Sequence, residues 1–409
     1  MRSLLILLAL CSITFAGTKV TLDNSGILVI DGHKTFLLST SLPPMPGATD
    51  PHGNDGLKVL RDDGLTFVRI RPTSPHDWTE EGVRSIKPWL DAAADAHLYT
   101  WVTLGELTAT NPKKPENERL LRLAINLYKD HPALGGWKGY DEPAWVKMPA
   151  EKLISARKIY RDLDPNHPVI IIQAPMKKSL PFRPYSDAAD IFGVDIYPVA
   201  YPPGNHSDLP NKGISLVADW TKIIHDAMAP KPVWMTLQIA TMVTLNPGKT
   251  LRYPTFFQQR YMAYACIING ARGVNWQGGE RPLAFNERDT KLGWNWTYWE
   301  KIMRPLLAEL NDKSPLHEAL IAPDSKLPIK VEGDTGLEYC VRETGDEIFI
   351  LAAKREGATV QMKFTGLPAT EATGSVLYEE PRKIEIKNGE FQDWFGPNEV
   401  HVYRIKRKA

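Results

Sequence analysis

Between residues 35 and 276, short apolar segments alternate with amphipathic stretches, and this alternation leaves the chain few folds to choose from. The apolar segments are 35–39, 66–70, 99–104, 134–140, 169–172, 191–196, 233–237 and 273–276. Helical periodicity fills the gaps at 81–96, 115–129, 149–163, 214–228, 254–269 and 298–310. Pro149 stands at a first-turn position and Gly270 at a helix stop, while Pro305 predicts a kink. Eight strands with interleaved helices predict an α/β fold, the (β/α)8 or TIM barrel. An open doubly wound sheet has the same alternation. However, no Gly-rich phosphate loop follows the first segment, and polar or aromatic residues stand at nearly every strand exit.

The flanks differ in texture. Residues 18–35 predict a β-hairpin turning at Asp23-Asn24-Ser25-Gly26, suited to covering one end of a larger fold. After residue 320 the helical period disappears. Short strand candidates at 329–331, 337–342, 347–352, 359–364, 374–378, 383–386 and 400–405 predict a small all-β sandwich. The expected division is a signal peptide at 1–16, a barrel with its hairpin at 17–320 and the sandwich at 321–409.

Composition narrows the partners. A formal net charge of +1 gives no electrostatic basis for binding nucleic acid or an anionic membrane. Arg2, the apolar run Leu4 to Phe15 and Thr14-Phe15-Ala16 have the form of a cleavable secretory signal, which predicts a secreted or periplasmic protein. That run is too short to span a bilayer. Leu8-Ala9-Leu10-Cys11 only faintly matches a lipoprotein signal, because Leu10 is bulky for its position. Beyond the leader, Cys266 and Cys340 fall in separate apolar segments, as small buried hydrophobes do.

In a parallel barrel the chemistry sits at the C-terminal ends of the strands. Those ends carry Thr40 and Ser41, Arg69 and Arg71, Glu106, Asp141 and Glu142, Gln173, Asp195 and Tyr197, Gln238, then Trp276, Gln277 and Glu280. Carboxylates and amides bond vicinal hydroxyls, and indole faces stack on the C–H side of a pyranose. The set therefore suits an oligo- or polysaccharide. Glu142 is the candidate general acid, with a loop salt bridge as the plainer role. Asp195 interrupts an apolar strand and is the candidate second carboxylate, or else an arginine partner. Strand alternation lets only one of Asp141 and Glu142 follow the inward face. Arg71, Glu106, Asp141, Tyr197, Gln238, Trp276 and Glu280 are candidate substrate contacts; Trp276 serves equally well as barrel packing. Metal-binding motifs and a nucleophile elbow are absent from the sequence, and acid/base hydrolysis requires no cofactor.

The chain resembles secreted bacterial (β/α)8 glycoside hydrolases of the clan whose acid/base is a glutamate ending the fourth strand. The resemblance rests on Trp137-Lys138-Gly139-Tyr140-Asp141-Glu142-Pro143, on Gly193-Val194-Asp195-Ile196-Tyr197-Pro198 and on Lys231-Pro232-Val233-Trp234. Pro254 to Val274 and the closing segments Phe391–Phe395 and 400–403 add to it. It implies a glycosidase whose acid is Glu142 and whose C-terminal sandwich is an appended domain. Retaining members of that clan carry a nucleophilic glutamate where strand seven ends, and here Gln238 stands there. Three readings follow: Asp195 or Glu280 takes over, the enzyme inverts by activating water, or the barrel binds sugar without cleaving it. A polysaccharide lyase or esterase on the same scaffold is a further alternative, with Arg71 neutralising a uronate.

Overall fold

The computed structural model describes residues 17–72, 78–176, 180–199, 207, 209–239, 253–279, 286–368, 371–379 and 381–407. The expected leader and Glu280 lie outside them. Eight parallel strands close into a barrel: β1 (Leu37–Thr40), β2 (Phe67–Ile70), β3 (Tyr99–Thr103), β4 (Leu134–Asp141), β5 (Val169–Gln173), β6 (Ile191–Val194), β7 (Val233–Gln238) and β8 (Ala271–Gln277). Pairing of β8 with β1, from Gly273↔Leu37 to Trp276↔Thr40, completes the closure and excludes the open sheet.

Alternate side chains enter the barrel. Leu37, Phe67, Trp101, Ile170, Ile172, Ile191 and Trp234 fill its lower part as one buried cluster. Trp101 meets Trp234 edge-on, with centroids 6.1 Å apart. Val20, Leu28 and Ile30 join this cluster from a three-stranded antiparallel sheet, which plugs the N-terminal end of the barrel. Strand packing is close enough that a Cβ at Gly193 would lie 1.7 Å from the Trp234 carbonyl oxygen. Above the aromatic plug the inward positions turn polar: the Trp101 indole donates to Ser39 Oγ at 2.9 Å, and Asn275 Nδ2 donates to Ser41 Oγ at 2.7 Å. A dry lower half thus supports a polar mouth.

Two helices differ from expectation, each at a proline. The 81–96 segment divides into Glu80–Arg84 and Lys87–Asp95, because Pro88 has no N–H to return to Arg84. The 298–310 segment contains a π-helical turn, Trp299–Met303, ahead of Arg304–Leu310, where Pro305 likewise lacks a donor.

The C-terminal region forms two antiparallel sheets. One orders Lys330–Glu332, Val360–Thr365 and Phe391–Phe395; the other orders Leu337–Thr344, Glu347–Lys354, Val400–Lys406, Glu371–Leu377 and Arg382–Lys387. Phe391–Phe395, named as a closing segment of the sandwich by the resemblance but absent from the periodic strand candidates, is a strand despite Asp393, a poor strand former, at its centre. Helix Phe256–Ile268 is buried from Gln259 to its C-terminal end, packed between barrel and sandwich. Phe349, Leu351, Val400 and Val402 of the sandwich share one buried cluster with the barrel's helical layer. Arg260 ties the two together: its Nε donates to both Glu309 oxygens at 2.9 Å, and its Nη1 to the Val400 carbonyl at 2.8 Å and to Glu379. Cys266 and Cys340 are both buried free thiols.

Candidate active site

The end of β4 departs from regular pleating. Lys138 pairs with Ile170 and Asp141 with Ile172, so three steps on β4 match two on β5. This bulge re-aims the side chains that follow. Glu142 then takes a left-handed backbone, φ +45°, a conformation that costs a non-glycine residue about 1 kcal/mol or more. Together the bulge and the turn bring both carboxylates to one mouth, where strict alternation would admit one. The backbone is pinned: Glu142 N–H donates to the Ile172 carbonyl at 2.9 Å, and Ala144 N–H to Gln173 Oε1 at 3.1 Å. Tyr185 Oη donates to the carbonyls of Pro143 and Met148 at 3.2 and 2.5 Å.

Asp195 comes from the neighbouring wall, where its backbone bridges to Thr236. Tyr197 Oη donates to Asp195 Oδ2 at 3.0 Å. Asp195 Oδ1 is buried without a protein N–H or O–H donor, and the Asp195 carboxyl is hydrogen-bonded to that of Glu142. Two carboxyls bond in this way only through a proton held between them. Both are pushed above the ordinary carboxylate range. For Glu142 the causes are burial and then the charge of Asp141; for Asp195 they are burial and then the charges of Glu142 and Asp141, and the displacement is larger. Burial and Asp195 keep the Tyr197 phenol protonated.

Asp141 has the opposite character. Burial pushes it up, but Lys138 and Arg69 outweigh burial and hold it below the usual range. The Lys138 ammonium, with no exposed side-chain surface, donates to Asp141 Oδ1 at 2.7 Å and to the carbonyls of Gly139 and Tyr140 at 3.3 and 3.2 Å. Arg69 lies over the Trp101 ring at 5.8 Å and donates to Gln277 Oε1 at 3.4 Å. Burial pushes the Lys138 amine down and Asp141 pulls it back up, so two basic side chains, Lys138 and Arg69, face three carboxyls.

The remaining candidates fall in several places. Arg71 lines an open cleft of about 340 Å³ with Arg69, Ser41, Trp89 and Trp294. Between the two arginines, Arg69 is the one whose charge acts on Asp141 and Tyr197. Glu106 is exposed on the 3₁₀ turn Gly105–Thr108, in a separate surface depression beside Tyr140 and Lys152. Gln238 closes a two-bond ring with Val199: Oε1 accepts from its N–H and Nε2 donates to its carbonyl, both at 2.8 Å. Trp276 is fully buried in the helical layer outside the barrel, on the face opposite Gln277. Glu280 lies outside the described residues. Lys138 went unrecognised in the sequence, although a lysine at an inward strand position just below two carboxylates is a readable signal. Parity along β8 also points to Gln277 rather than Trp276.

Among the described residues, no group of three or more His, Cys, Asp or Glu side chains could hold a metal ion. No helix among them is long and apolar enough to cross a membrane.

No family model matches the chain, and no curated protein matches its sequence. Solved structures do match its fold. A glycoside hydrolase aligns over 95% of this chain and 96% of its own, with TM-score 0.62 at 14% identity. A family 5 glycoside hydrolase from Bacteroides vulgatus covers 95% of this chain and 92% of its own, with TM-score 0.62 at 14% identity. An α-amylase from Geobacillus thermoleovorans covers 91% and 99%, with TM-score 0.56 at 12% identity. At these identities the likeness is one of fold: the chain is built as a closed (β/α)8 barrel with a C-terminal β-sandwich, the architecture of these glycoside hydrolases.

Proposed function

We propose that the protein is a secreted glycoside hydrolase that cleaves O-glycosidic bonds of an oligo- or polysaccharide, with Glu142 as general acid and Asp195 as second carboxylate. The observation that carries this reading is the half-buried, proton-sharing Glu142–Asp195 pair at the mouth of a barrel, beside an Asp141 held ionised by Lys138 and Arg69. A carboxyl whose pKa is raised by burial and a neighbouring charge keeps its proton to higher pH than a free one and can deliver it to a departing sugar oxygen. As the C–O bond breaks, its electron pair leaves with that oxygen and positive charge grows on the anomeric carbon. Asp195, then ionised, stabilises this charge and serves as base or nucleophile. The pair must part for this to happen, because a covalent route needs carboxyls roughly 5–5.5 Å apart and an inverting one about 6.5–9.5 Å. The hydrogen-bonded arrangement is the resting state, and substrate entry replaces the carboxyl–carboxyl bond with bonds to the sugar.

Gln238 favours a second reading, a barrel that binds sugar without cleaving it. It stands at the β7 exit with its amide engaged by Val199, and the described residues there include no carboxylate. A panel of glycosides and polysaccharides separates the two readings. Hydrolysis by wild type, lost about 10²–10⁴-fold in Glu142→Gln, is the expected result. Unchanged hydrolysis in Glu142→Gln would remove the acid assignment, and binding without turnover in wild type would establish the second reading.

A further inference from the structure

The barrel mouth is electrostatically two-sided. Asp141, Glu142 and Asp195 stand where β4 and β6 end, whereas β2 ends in Arg69-Ile70-Arg71. Ile70 packs into the helical layer outside the barrel, so alternation turns both arginines toward the mouth. They line the cleft of about 340 Å³ together with Ser41, Met45, Trp89 and Trp294, a volume within the range of small-ligand sites. The described lining carries two guanidiniums and no carboxylate.

The wall is fixed before a ligand arrives. Trp294 is 1% exposed; its indole donates to the Leu42 carbonyl at 2.8 Å, and its ring packs on Trp296 and Trp299 with centroids 4.6 and 5.3 Å away. Arg69 is held over Trp101 and by Gln277, and its charge already acts on Asp141. Arg71 is exposed, within reach of a molecule entering the cleft. A guanidinium is a planar fork that matches a carboxylate or a sulfate with two parallel N–H···O bonds. A neutral sugar seated on this wall would take positive charge out of water and return only hydroxyl contacts, whereas an anionic one supplies the opposite charge. The carboxyls of β4 and β6 repel an anion, which confines its acidic group to the arginine side and sets the direction in which a saccharide lies.

We propose that this cleft selects an anionic saccharide, holding the carboxylate or sulfate of one sugar unit on Arg71 and Arg69 beside the catalytic carboxyls. The inference rests on the glycosidase reading of the mouth and adds to it the charge of the substrate. It is tested by calorimetric titration of Glu142→Gln, where turnover plays no part, with oligosaccharides paired by backbone and differing in charge. The pairs are oligogalacturonates and their methyl esters, glucuronate-substituted and plain xylo-oligosaccharides, and sulfated and desulfated galacto-oligosaccharides. The expected result is that at least one anionic member binds about tenfold or more tightly than its neutral mate, the scale of a charge-assisted hydrogen bond. The pair that shows this identifies carboxylate or sulfate. Arg71→Gln brings the ratio to within about twofold of unity, while Arg84→Gln, which removes the same charge from the exposed end of helix Glu80–Arg84, leaves it unchanged. Because the ratio compares two ligands on one protein, a general loss of folding cancels from it. Ratios near unity for all three pairs overturn the proposal, as does a preference that survives Arg71→Gln. Preferential binding with no turnover in wild type would instead remove the hydrolase reading and leave the selectivity of the cleft standing.

Discussion

Glu142 and Asp195 hold a proton that free carboxyls lose near pH 4, and this ties stability to pH with a definite sign. A carboxyl whose folded pKa is raised binds more protons folded than unfolded, so stability falls as pH rises from the unfolded pKa toward the folded one. Each unit of displacement is worth about 1.4 kcal/mol. Asp195→Asn mimics the protonated side chain and removes that cost. Its melting temperature is expected to exceed that of wild type at pH 7, by a margin that shrinks toward pH 4. A difference independent of pH would contradict the assignment. Asp141 acts on the same pair through its charge, which raises both partners. Asp141→Asn should therefore move the alkaline limb of kcat/KM to lower pH, measured against wild type on one substrate. Much at this scale was readable in the sequence, because Glu142, Asp195 and Tyr197 all stand at strand exits. Lys138 was not read, although its inward place on the strand just below two carboxylates is legible; only the bulge that brings Asp141 onto it is not. Trp276 and Gln277 exchange roles for a related reason: an exit names a neighbourhood, and parity decides which side chain enters it.

The elements set the site through close strand contacts. Gly193 lets β6 approach β7, and an added methyl would meet the Trp234 carbonyl. Gly193→Ala is expected to cost about 3 kcal/mol, the upper range for overpacking, read as a lower urea midpoint, and to displace Asp195 two residues on. Gln238 closes β7 onto the loop after β6. Gln238→Ala leaves both backbone groups of Val199 without their partner, an expected loss of about 2 kcal/mol, and lowers activity by loosening Tyr197. Intact activity with lowered stability would make Gln238 a brace for the fold alone. Eight strands and most helices were legible because apolar periodicity reports burial directly. The breaks at Pro88 and around Pro305 were only partly legible, since a missing N–H can end, restart or widen a helix according to what packs around it. Apolar alternation alone missed the strand Phe391–Phe395, which only the resemblance pointed to, because its pairing partners compensate for an unfavourable Asp393.

Barrel and sandwich meet through one buried surface, and Arg260 is its charged centre. Removing Arg260 leaves Glu309, 6% exposed, with an uncompensated charge. Arg260→Ala is expected to destabilise the fold by about 3–5 kcal/mol, measured by denaturant unfolding, with both regions losing structure together because they share a core. Arg260→Lys should recover little, since an ammonium cannot reproduce the forked contacts to Glu309, Glu379 and Val400. Separate unfolding of the sandwich would contradict a shared core. Within that assembled molecule the central claim is that the pair at the mouth supplies the proton for glycoside cleavage. It is tested most directly by kcat/KM of Glu142→Gln, relative to wild type, on aryl glycosides with progressively more acidic phenol leaving groups. Acid catalysis predicts a deficit that is large for poor leaving groups and nearly vanishes for the most acidic phenol, which departs without a proton. A deficit of the same size across the whole series would contradict the claim.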